Sequence, residues 1–523
     1  MITVEMTFNT TGTCNSNKHY MVDISSKIDI IEKMVDKGDY FVINRTRLYG
    51  KTTIISSLSK RIVDKYLIIR TSFEGTSNYM FQDEEKLGNE LIKKFSKALR
   101  FINIEKSKEL EKAGQSIKSL EDLSDVITNF IIGCDKKVIL LIDEVDKASN
   151  SELFLSFLGM LRHKFLLAVD ELDYTFYSVI LVGVHDIKNL KLRFRKDEEM
   201  ELNSPWNIAV NFDLDMSFNS IEIESMLIEY CNLNKLTMDT EKLSEKLHYY
   251  TFGYPFLVSR LCQIIDENIP RIDKRPWIIQ DIDKSVKLLL KENNTLFDDL
   301  IKNLENNKEL YSLVSDIVLN GSTISFNISN PIVNAGYTYG IFKEDEYRIK
   351  LNNRIYEQFI YDYLVSKLEV KSDKMSIYNY KDKFITPDKK LDFENVLLKF
   401  QQFMKEQYSS VDADFIEREA RLLFLAFIKP IINGVGFDFK EVQISEEKRL
   451  DVVVTYNNSK YVIELKIWRG LEYHKKGIKQ LADYLDIQGL DQGYLVVFSF
   501  NKNKQYNQEK IKSGKKDIFV VSV

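Results

Sequence analysis

Residues 41–53 read FVINRTRLYGKTT, and this stretch decides the fold of the N-terminal half of the chain. Residues 40–44 form an apolar run of strand length, and the apolar side chains of residues 51–63 recur at helical spacing. Between them lies GKT at positions 50–52. Backbone N–H groups at the start of a helix bind phosphate oxygens, because the unpaired amides and the helix dipole both favour an anion there. The stretch therefore predicts a strand, a phosphate-binding loop and a helix in succession.

Several residues of this loop have an expected role in binding ATP. Lys51 would contact the β- and γ-phosphates, and the Thr52 hydroxyl would ligate Mg²⁺. The predicted nucleotide-binding set also includes Gly50, Thr53, Arg45 and, further along the chain, Asp143. Arg45 stands where such loops usually have their first glycine, and arginine adopts a tight turn less freely than glycine. A Gly-Lys-Thr sequence also occurs at ordinary helix starts on protein surfaces, so the motif needs support from its surroundings.

An acidic pair downstream supplies that support. The apolar run at residues 138–142 leads directly into Asp143 and Glu144, as a buried strand does before a Walker B site. Asp143 would hold Mg²⁺ through water, and Glu144 would polarise the water that attacks the γ-phosphate. Two solvated acids at a strand end are the alternative. His185 and Arg260 are weaker candidates for contacting the nucleotide, since a solvated strand end and a helix-surface arginine explain them equally well.

The order of the remaining patterns predicts a multidomain α/β protein. Up to residue 184, apolar strand runs alternate with helical patterns, which predicts a largely parallel sheet. Residues 217–290 are helical in pattern, and residues 340–351 predict a hairpin behind helices, as in a winged-helix module. The predicted segments are a lead-in (1–38), a P-loop ATPase core (39–212), a helical lid (213–290), a winged-helix-like module (291–370), a linker (371–390) and a C-terminal α/β domain (391–523).

A second candidate site lies near the C-terminus. Asp451 begins an apolar strand, and Glu464 and Lys466 share one face of the next strand because side chains alternate along a strand. A hairpin through residues 457–458 would bring Asp451 to Glu464, and two converging carboxylates form an oxygen site for Mg²⁺ or Mn²⁺. A neighbouring lysine can orient or deprotonate the attacking water and stabilise charge on a phosphate. The alternative is a strand hairpin with a salt-bridged Glu464–Lys466 pair.

This pattern resembles the PD-(D/E)XK nuclease superfamily, although Leu450 occupies the place usually held by proline. The resemblance implies catalytic roles for Gln480 and Tyr484, which form a QxxxY helix behind the lysine strand, as in one branch of the superfamily. It also implies that a glutamate from an upstream helix completes the metal site. Glu419, beside the apolar face of the predicted helix, is the chosen residue and Glu417 the alternate.

The N-terminal half resembles bacterial AAA-like P-loop ATPases over residues 8–290. The resemblance is carried by "FVINRTRLYGKTT", "VILLIDEVDKASN", "SVILVGVHDIKNLK" and "YTFGYPFLVSRLC". An arginine in place of the first loop glycine looks typical of that group. A nuclease domain of the type predicted for residues 391–523 is often fused behind such ATPases, which matches the order found here.

Composition limits the cellular setting. The net charge of −5 excludes a basic nucleic-acid coat, so DNA contacts must come from a local patch. Four cysteines without CxxC spacing fit a reducing compartment, and the sequence has neither a signal-peptide pattern nor an apolar run long enough to span a membrane, so we expect a cytoplasmic protein. Trp468 and Tyr473 are candidates for stacking on bases. The candidate phosphate-binding side chains are all lysines: Lys475, Lys476, Lys479, Lys502, Lys504, Lys510, Lys512, Lys515 and Lys516.

The leading hypothesis is an ATPase and metal-dependent nuclease that cleaves DNA under nucleotide control. The family resemblance points to prokaryotic genome defence or mobile-element biology. RNA stays an alternative substrate, and self-association into a homo-oligomer is left open. The rival hypothesis is a non-catalytic, nucleotide-dependent switch that binds nucleic acid or protein partners.

Overall fold

A computed structural model describes residues 6–148, 151–184, 206–269, 275–320, 324–371, 384–388, 390–407, 423–425, 427–428, 452–456, 459–468, 470–499 and 505–523. The chain forms two compact units. Unit 1 comprises Met1–Asn306 and Phe326–Tyr356, and unit 2 comprises Asn307–Ser325 and Glu357–Val523.

The helices and strands of the described residues follow the predicted order. The helices are α1 (Ser25–Asp36), α2 (Lys51–Ile62), α3 (Glu84–Leu99), α4 (Ile104–Gly114), α5 (Leu120–Ile132), α6 (Glu152–Val169), α7 (Ser220–Asn234), α8 (Thr240–Thr251), α9 (Pro255–Asn268), α10 (Ile279–Leu289), α11 (Thr295–Glu305), α12 (Lys308–Asn320), α13 (Pro331–Thr338), α14 (Arg354–Lys371), α15 (Phe393–Gln407) and α16 (Leu471–Gln488). The strands are β1 (Tyr40–Asn44), β2 (Leu67–Ser72), β3 (Val138–Asp143), β4 (Ser178–Gly183), β5 (Phe342–Asp345), β6 (Arg348–Leu351), β7 (Val452–Tyr456), β8 (Ser459–Ile467), β9 (Gln492–Phe498), β10 (Gln508–Ser513) and β11 (Lys516–Ser522).

Unit 1 is built on a parallel sheet with the strand order β1-β4-β3-β2. Its strands are apolar on both faces because helices cover both faces of a parallel sheet. One core cluster joins the sheet to α3, α5 and α6, and a second joins its other face to α1 and α2. The prediction of a parallel α/β sheet is confirmed.

Helices and one hairpin form the rest of unit 1. Between residues 213 and 290 the described chain holds α7 to α10, in agreement with the predicted helical lid. β5 and β6 pair as an antiparallel hairpin behind α13, at the predicted position. Part of the predicted linker lies outside the described residues, and the predicted domain boundaries remain predictions.

Unit 2 contains a mixed sheet with the order β10-β11-β9-β8-β7. α15 packs on one face of this sheet and α16 on the other, each over its own apolar cluster. The last two strands form an antiparallel hairpin that the sequence analysis did not predict. For β10 the reason is composition, since this strand carries two lysines and one glutamate on exposed positions and lacks an apolar run.

No helix in the described part of the chain is both long and apolar enough to cross a membrane.

Candidate active sites

The first candidate site lies at the carboxyl edge of the parallel sheet in unit 1. The phosphate-binding loop follows β1, Asp143 ends β3, and Val184 follows β4. Since β4 pairs with both β1 and β3, the three strand ends are neighbours at one edge. This topology places the predicted loop and acidic residues together.

Two residues with positive φ make the turn of the loop. Leu48 has a φ of 58° and Gly50 a φ of 77°, and Gly50 is the residue that precedes α2. Arg45 is not among the described residues with positive φ, so the backbone at this position does not require a glycine. Its guanidinium donates to the carbonyls of Asn44 at 2.8 Å and Leu214 at 2.6 Å, which ties the loop to the segment beyond β4.

Lys51 is buried and bonded to its own loop. Its Nζ donates to the carbonyl oxygens of Arg45 at 2.6 Å and Thr46 at 3.0 Å. Burial lowers the pKa of Lys51, while the nearby acidic groups act in the opposite direction. A phosphate would offer this ammonium group stronger, charged acceptors than two carbonyls.

The two threonines of the loop have different partners. The Thr52 hydroxyl donates to Asp143 Oδ2 at 3.2 Å, so a hydroxyl and a carboxylate oxygen converge. Oxygen donors of this kind suit Mg²⁺, and the arrangement fits the ion expected with ATP. The Thr53 hydroxyl instead accepts a hydrogen bond from the Cys14 N–H at 3.1 Å and thereby holds the N-terminal segment against the loop.

Glu144 and Asp146 extend the acidic group beyond β3. Glu144 has a φ of 55° and its N–H donates to Asp143 Oδ1 at 2.9 Å. Burial, and then the charge of Asp143, raises the pKa of Glu144. Asp146 Oδ2 accepts from the Val184 N–H at 2.6 Å and so links β3 to the end of β4. Sequence analysis missed Asp146, although an acidic residue two positions beyond Glu144 was a visible signal.

Two cavities flank the phosphate-binding loop. The first has a volume of about 320 Å³ and is lined by three carboxylates, Glu144, Asp146 and Asp299, and by three cations, Arg47, Lys147 and Lys302. We call it the acidic cleft after its carboxylates. The second, which we call the apolar cavity, has a volume of about 110 Å³. It lies between the N-terminal segment, the loop and α9, and its aromatic lining residues are Tyr20, Tyr49, Phe218 and Phe256.

The two weaker candidates do not strengthen the site. Arg260 donates to both carboxylate oxygens of Glu292, at 3.1 Å and 2.6 Å. Its guanidinium is therefore bonded to a residue just after α10 and not to the phosphate-binding loop. His185 lies outside the described residues.

The second candidate site lies on the α16 side of the mixed sheet. β7 and β8 pair in antiparallel fashion with Val452 opposite Ile463, which agrees with the predicted hairpin. Glu464 is 1% exposed, and its Oε1 accepts an ion-paired hydrogen bond from Lys466 Nζ at 2.8 Å. The two side chains share a face, as predicted, and they form the ion pair that the sequence analysis gave as the alternative to a nuclease site.

The helix α16 covers this face. A Cβ added at Gly477 would lie 3.4 Å from Cγ of Lys466, so the lysine stem runs against the helix at that glycine. Gln480 is half-buried one turn further on. Tyr484 is buried in the cluster that contains Val462, which points the same way as Glu464. Its hydroxyl has no hydrogen-bond partner in the described structure, and burial raises its pKa to about 12.

Two of the predicted metal ligands, Asp451 and Glu419, lie outside the described residues, as does the alternate Glu417. Asp451 directly precedes Val452 in the chain, and Val452 pairs with the residue before Glu464. Within the described ranges no group of three or more histidine, cysteine, aspartate or glutamate side chains is arranged to hold a metal ion.

Two exposed aromatic residues and several exposed lysines follow Lys466 in the chain. Trp468 and Tyr473 are exposed by 36% and 40%, and the Lys466 ammonium group lies 6.0 Å from the centre of the Tyr473 ring. The lysines exposed on α16 are Lys475, Lys476 and Lys479. Three others are engaged elsewhere: Lys510 pairs with Glu394, Lys512 with Asp517, and Lys516 with Asp486 and Asp491. Lys502 and Lys504 lie outside the described residues.

One protein-family model matches the region that contains the second candidate site. Residues 433–510 match the model of the PD-(D/E)XK nuclease superfamily. This region is similar to PD-(D/E)XK nuclease domains. The matched segment contains Glu464, Lys466, Gln480 and Tyr484. The prediction of a PD-(D/E)XK domain behind a P-loop α/β domain is therefore confirmed.

Solved structures similar to this chain include three P-loop proteins. The Walker-type ATPase PABY2304 of Pyrococcus abyssi is 12% identical over 68% of this chain and 99% of its own, with a TM-score of 0.43. The ORC2 protein of Aeropyrum pernix is 11% identical over 69% and 96%, with a TM-score of 0.38. The RuvB Holliday junction branch migration motor of Thermotoga maritima is 13% identical over 64% and 93%, with a TM-score of 0.32. No curated protein matches the sequence.

We expect the Tyr484→Phe variant to unfold at the wild-type temperature or slightly above it. Its hydroxyl is buried without a partner in the described structure, and such a group costs about 1–3 kcal/mol of desolvation that the variant avoids. Thermal denaturation followed by circular dichroism measures this effect. Tyr484→Ala is the comparison, since removal of the ring from the core should cost about 3–5 kcal/mol. A Tyr484→Phe protein as unstable as Tyr484→Ala would show that the hydroxyl is paired.

Proposed function

We propose that this protein is an ATP-binding and ATP-hydrolysing, metal-dependent nuclease that cleaves DNA under nucleotide control. The observation that carries the proposal is the buried Glu464 carboxylate held by Lys466 beneath α16, within a region that matches the PD-(D/E)XK superfamily. A charge buried in a strand of valine and isoleucine costs free energy, and such a cost is typical of a functional site. A role in prokaryotic genome defence or mobile-element biology belongs to the same proposal.

The chemistry of the nuclease site follows from its donor groups. Glu464, together with Asp451 and Glu419, would hold Mg²⁺ or Mn²⁺, since carboxylate oxygens are the ligands these ions prefer. The bound ion would supply stabilisation of the negative charge that develops on the phosphate and a lower pKa for the attacking water. Lys466 would orient that water and donate to the developing charge, with Gln480 and Tyr484 positioning the lysine or the phosphate from α16.

The exposed surface around Lys466 suits a DNA backbone. Lys475, Lys476 and Lys479 on α16 can neutralise phosphates, and each such contact adds to affinity by releasing counterions. Trp468 and Tyr473 offer ring faces on which bases can stack. Because phosphate contacts carry no sequence information, this surface supports DNA binding without naming a target sequence.

In the ATPase site, the base and the phosphates of the nucleotide would be bound by different parts of unit 1. The apolar cavity would take the base, and the loop from Arg45 to Thr53 would wrap the phosphates, with Lys51 exchanging its carbonyl acceptors for phosphate oxygens. Thr52 and Asp143 would hold Mg²⁺. Glu144 faces the acidic cleft, where it would accept a proton from the attacking water.

An assay of DNA cleavage tests the proposal as a whole. Supercoiled and linear DNA are incubated with the full chain and Mg²⁺ or Mn²⁺, with and without ATP. Metal-dependent cutting whose rate changes with ATP is the expected result. Binding of DNA without any cutting, with either metal, would favour the non-catalytic switch, and cutting of RNA in preference to DNA would change the substrate assignment.

We expect Lys51→Ala to lower the affinity for ATP and ADP by at least about 100-fold, because two charge-assisted hydrogen bonds to phosphate are lost and each contributes about 1.5–3 kcal/mol. The same variant should cut DNA at a rate that no longer responds to ATP. Calorimetric titration with each nucleotide measures the affinity. Lys60→Ala, an exposed lysine on the same helix, is the matched control and should bind like the wild type. Unaltered nucleotide binding by Lys51→Ala would show that the loop is not part of the nucleotide site.

A further inference from the structure

Arg47 is a cation of the phosphate-binding loop to which the sequence analysis assigned no role. Its carbonyl oxygen accepts from the buried Tyr254 hydroxyl at 2.6 Å, so its main chain is held in place. Its side chain is 64% exposed, and Nη1 lies 3.3 Å from Asp299 Oδ2. The residue therefore combines a fixed backbone with a guanidinium whose one described partner is a carboxylate on α11.

The partner carboxylate lies across the acidic cleft from the predicted catalytic groups. Asp299 lines this cleft together with Glu144 and Asp146. The positive charge of Arg47 lowers the pKa of both Glu144 and Lys51, although burial is the larger influence on each. Arg47 therefore stands close to the groups that would surround a γ-phosphate.

A second contact joins the same loop to the same side of unit 1. The Thr46 hydroxyl donates to the Tyr339 carbonyl at 3.3 Å. Gly340 has a φ of +68°, and a Cβ there would come within 2.7 Å of Thr46 Cγ2. The loop is thus in direct contact with α11 through Arg47 and with the turn that follows α13 through Thr46.

We infer that Arg47 is a γ-phosphate-specific residue of the nucleotide site, which exchanges Asp299 for the γ-phosphate of ATP and so frees α11 from the loop. This inference rests on the proposed function of the loop as an ATP site. It gives the site a means of distinguishing ATP from ADP and gives the nucleotide state an effect on α11.

The exchange is energetically reasonable. Arg47 and Asp299 are both substantially exposed, and an exposed ion pair of this kind changes an equilibrium constant by about fivefold at most. A guanidinium bonded to a phosphate through two parallel hydrogen bonds is a stronger, charge-assisted contact. The γ-phosphate therefore displaces Asp299 from the guanidinium when ATP binds, whereas ADP has no γ-phosphate and leaves the Arg47–Asp299 pair intact.

Binding of ADP and of a non-hydrolysable ATP analogue to the full chain tests the inference, with Mg²⁺ present and calorimetry as the measurement. Arg47→Ala should weaken binding of the analogue about tenfold, which corresponds to about 1.4 kcal/mol, and leave ADP affinity within about twofold of wild type. Asp299→Asn should strengthen binding of the analogue about threefold, because the competing carboxylate is removed. Arg47→Lys should fall between wild type and Arg47→Ala, since lysine keeps the charge but not the two-pronged geometry.

Asp298→Asn is the matched control, because Asp298 is exposed on the same helix and does not line the acidic cleft. It should leave both affinities unchanged. A second readout is hydrogen exchange at the backbone amides of α11, which the ATP analogue should accelerate relative to ADP in wild type but not in Arg47→Ala.

The outcomes separate this inference from the proposed function. A wild-type protein that binds neither nucleotide overturns the ATP site and the inference with it. If wild type binds both nucleotides and Arg47→Ala weakens both equally, or changes neither, the ATP site stands and the γ-phosphate role of Arg47 is overturned. An effect of Asp298→Asn equal to that of Asp299→Asn would also overturn it, because the effect would then be one of general charge.

Discussion

Replacing Lys466 by alanine is expected to lower the rate of metal-dependent DNA cleavage by a factor of about 10² to 10³, the usual loss when one group that stabilises transition-state charge is removed. Lys466 Nζ lies 2.8 Å from Glu464 Oε1 and is 21% exposed, so it reaches the site where substrate would lie while anchored to a buried carboxylate. Cleavage of supercoiled DNA under single-turnover conditions, with Mg²⁺, measures the change.

The design must separate chemistry from folding. Removal of one partner of a buried ion pair leaves the other charge without compensation, which can cost about 3–5 kcal/mol. Lys466→Arg keeps the positive charge and therefore the ion pair, yet its planar, bulkier guanidinium does not reproduce the compact donor geometry of the ammonium group. This variant should stay folded and still cut slowly. Lys475→Ala, an exposed lysine on α16, controls for the loss of one positive charge from the DNA-facing surface. Wild-type cutting by Lys466→Ala would remove the lysine from the reaction.

Replacing Glu144 by glutamine is expected to lower the rate of ATP hydrolysis by a factor of about 10² to 10⁴, the contribution that a positioned general base makes. Binding of ATP should persist, because Lys51, Thr52 and Asp143 are untouched. The variant is also expected to fold normally. Burial and the Asp143 charge already raise the pKa of Glu144, so the neutral amide avoids a repulsion that the carboxylate suffers.

Phosphate release under saturating ATP measures hydrolysis, and titration with the nucleotide measures binding in the same preparation. Glu152→Gln, an exposed glutamate at the start of α6, is the matched control and should hydrolyse ATP like the wild type. Loss of binding together with hydrolysis would mean that Glu144 supports the loop rather than the water. Unchanged hydrolysis would assign the role of base to another group, with Asp146 as the next candidate on the acidic cleft.

Much of the fold could be predicted because it depends on short-range patterns. The buried strands β1, β3 and β4 are continuous apolar runs, and α2, α15 and α16 have apolar residues at helical spacing, so hydrophobic periodicity alone located them. The hairpin β5–β6 was predicted in the same way. β10 escaped because it is exposed at the edge of its sheet and carries charge instead of an apolar run. β11 has a buried apolar run at residues 518–521, which was a visible signal that the sequence analysis missed.

In the candidate sites, too, short-range features could be predicted and contacts between distant residues could not. Glu464 and Lys466 are two positions apart on one strand, so the alternation of side chains sufficed to predict that they share a face. The acidic pair Asp143 and Glu144 was visible as the end of an apolar run. By contrast, the partners of the loop residues Arg45 and Arg47 could not be predicted, because those partners lie far along the chain.

The sequence by itself determined that strands, a phosphate-binding loop and a carboxylate–lysine pair exist, since each depends on neighbours within a few residues. Only the tertiary structure decided that Arg45 reaches the Leu214 carbonyl, that Arg47 faces Asp299, and that the Tyr484 hydroxyl is buried without a partner in the described structure. The physical reason is the separation along the chain between the residues that contact each other. A helix or strand pattern shows which of its faces is buried, but the side chain that meets that face is determined by packing between segments far apart in the chain, for example 252 residues apart for Arg47 and Asp299.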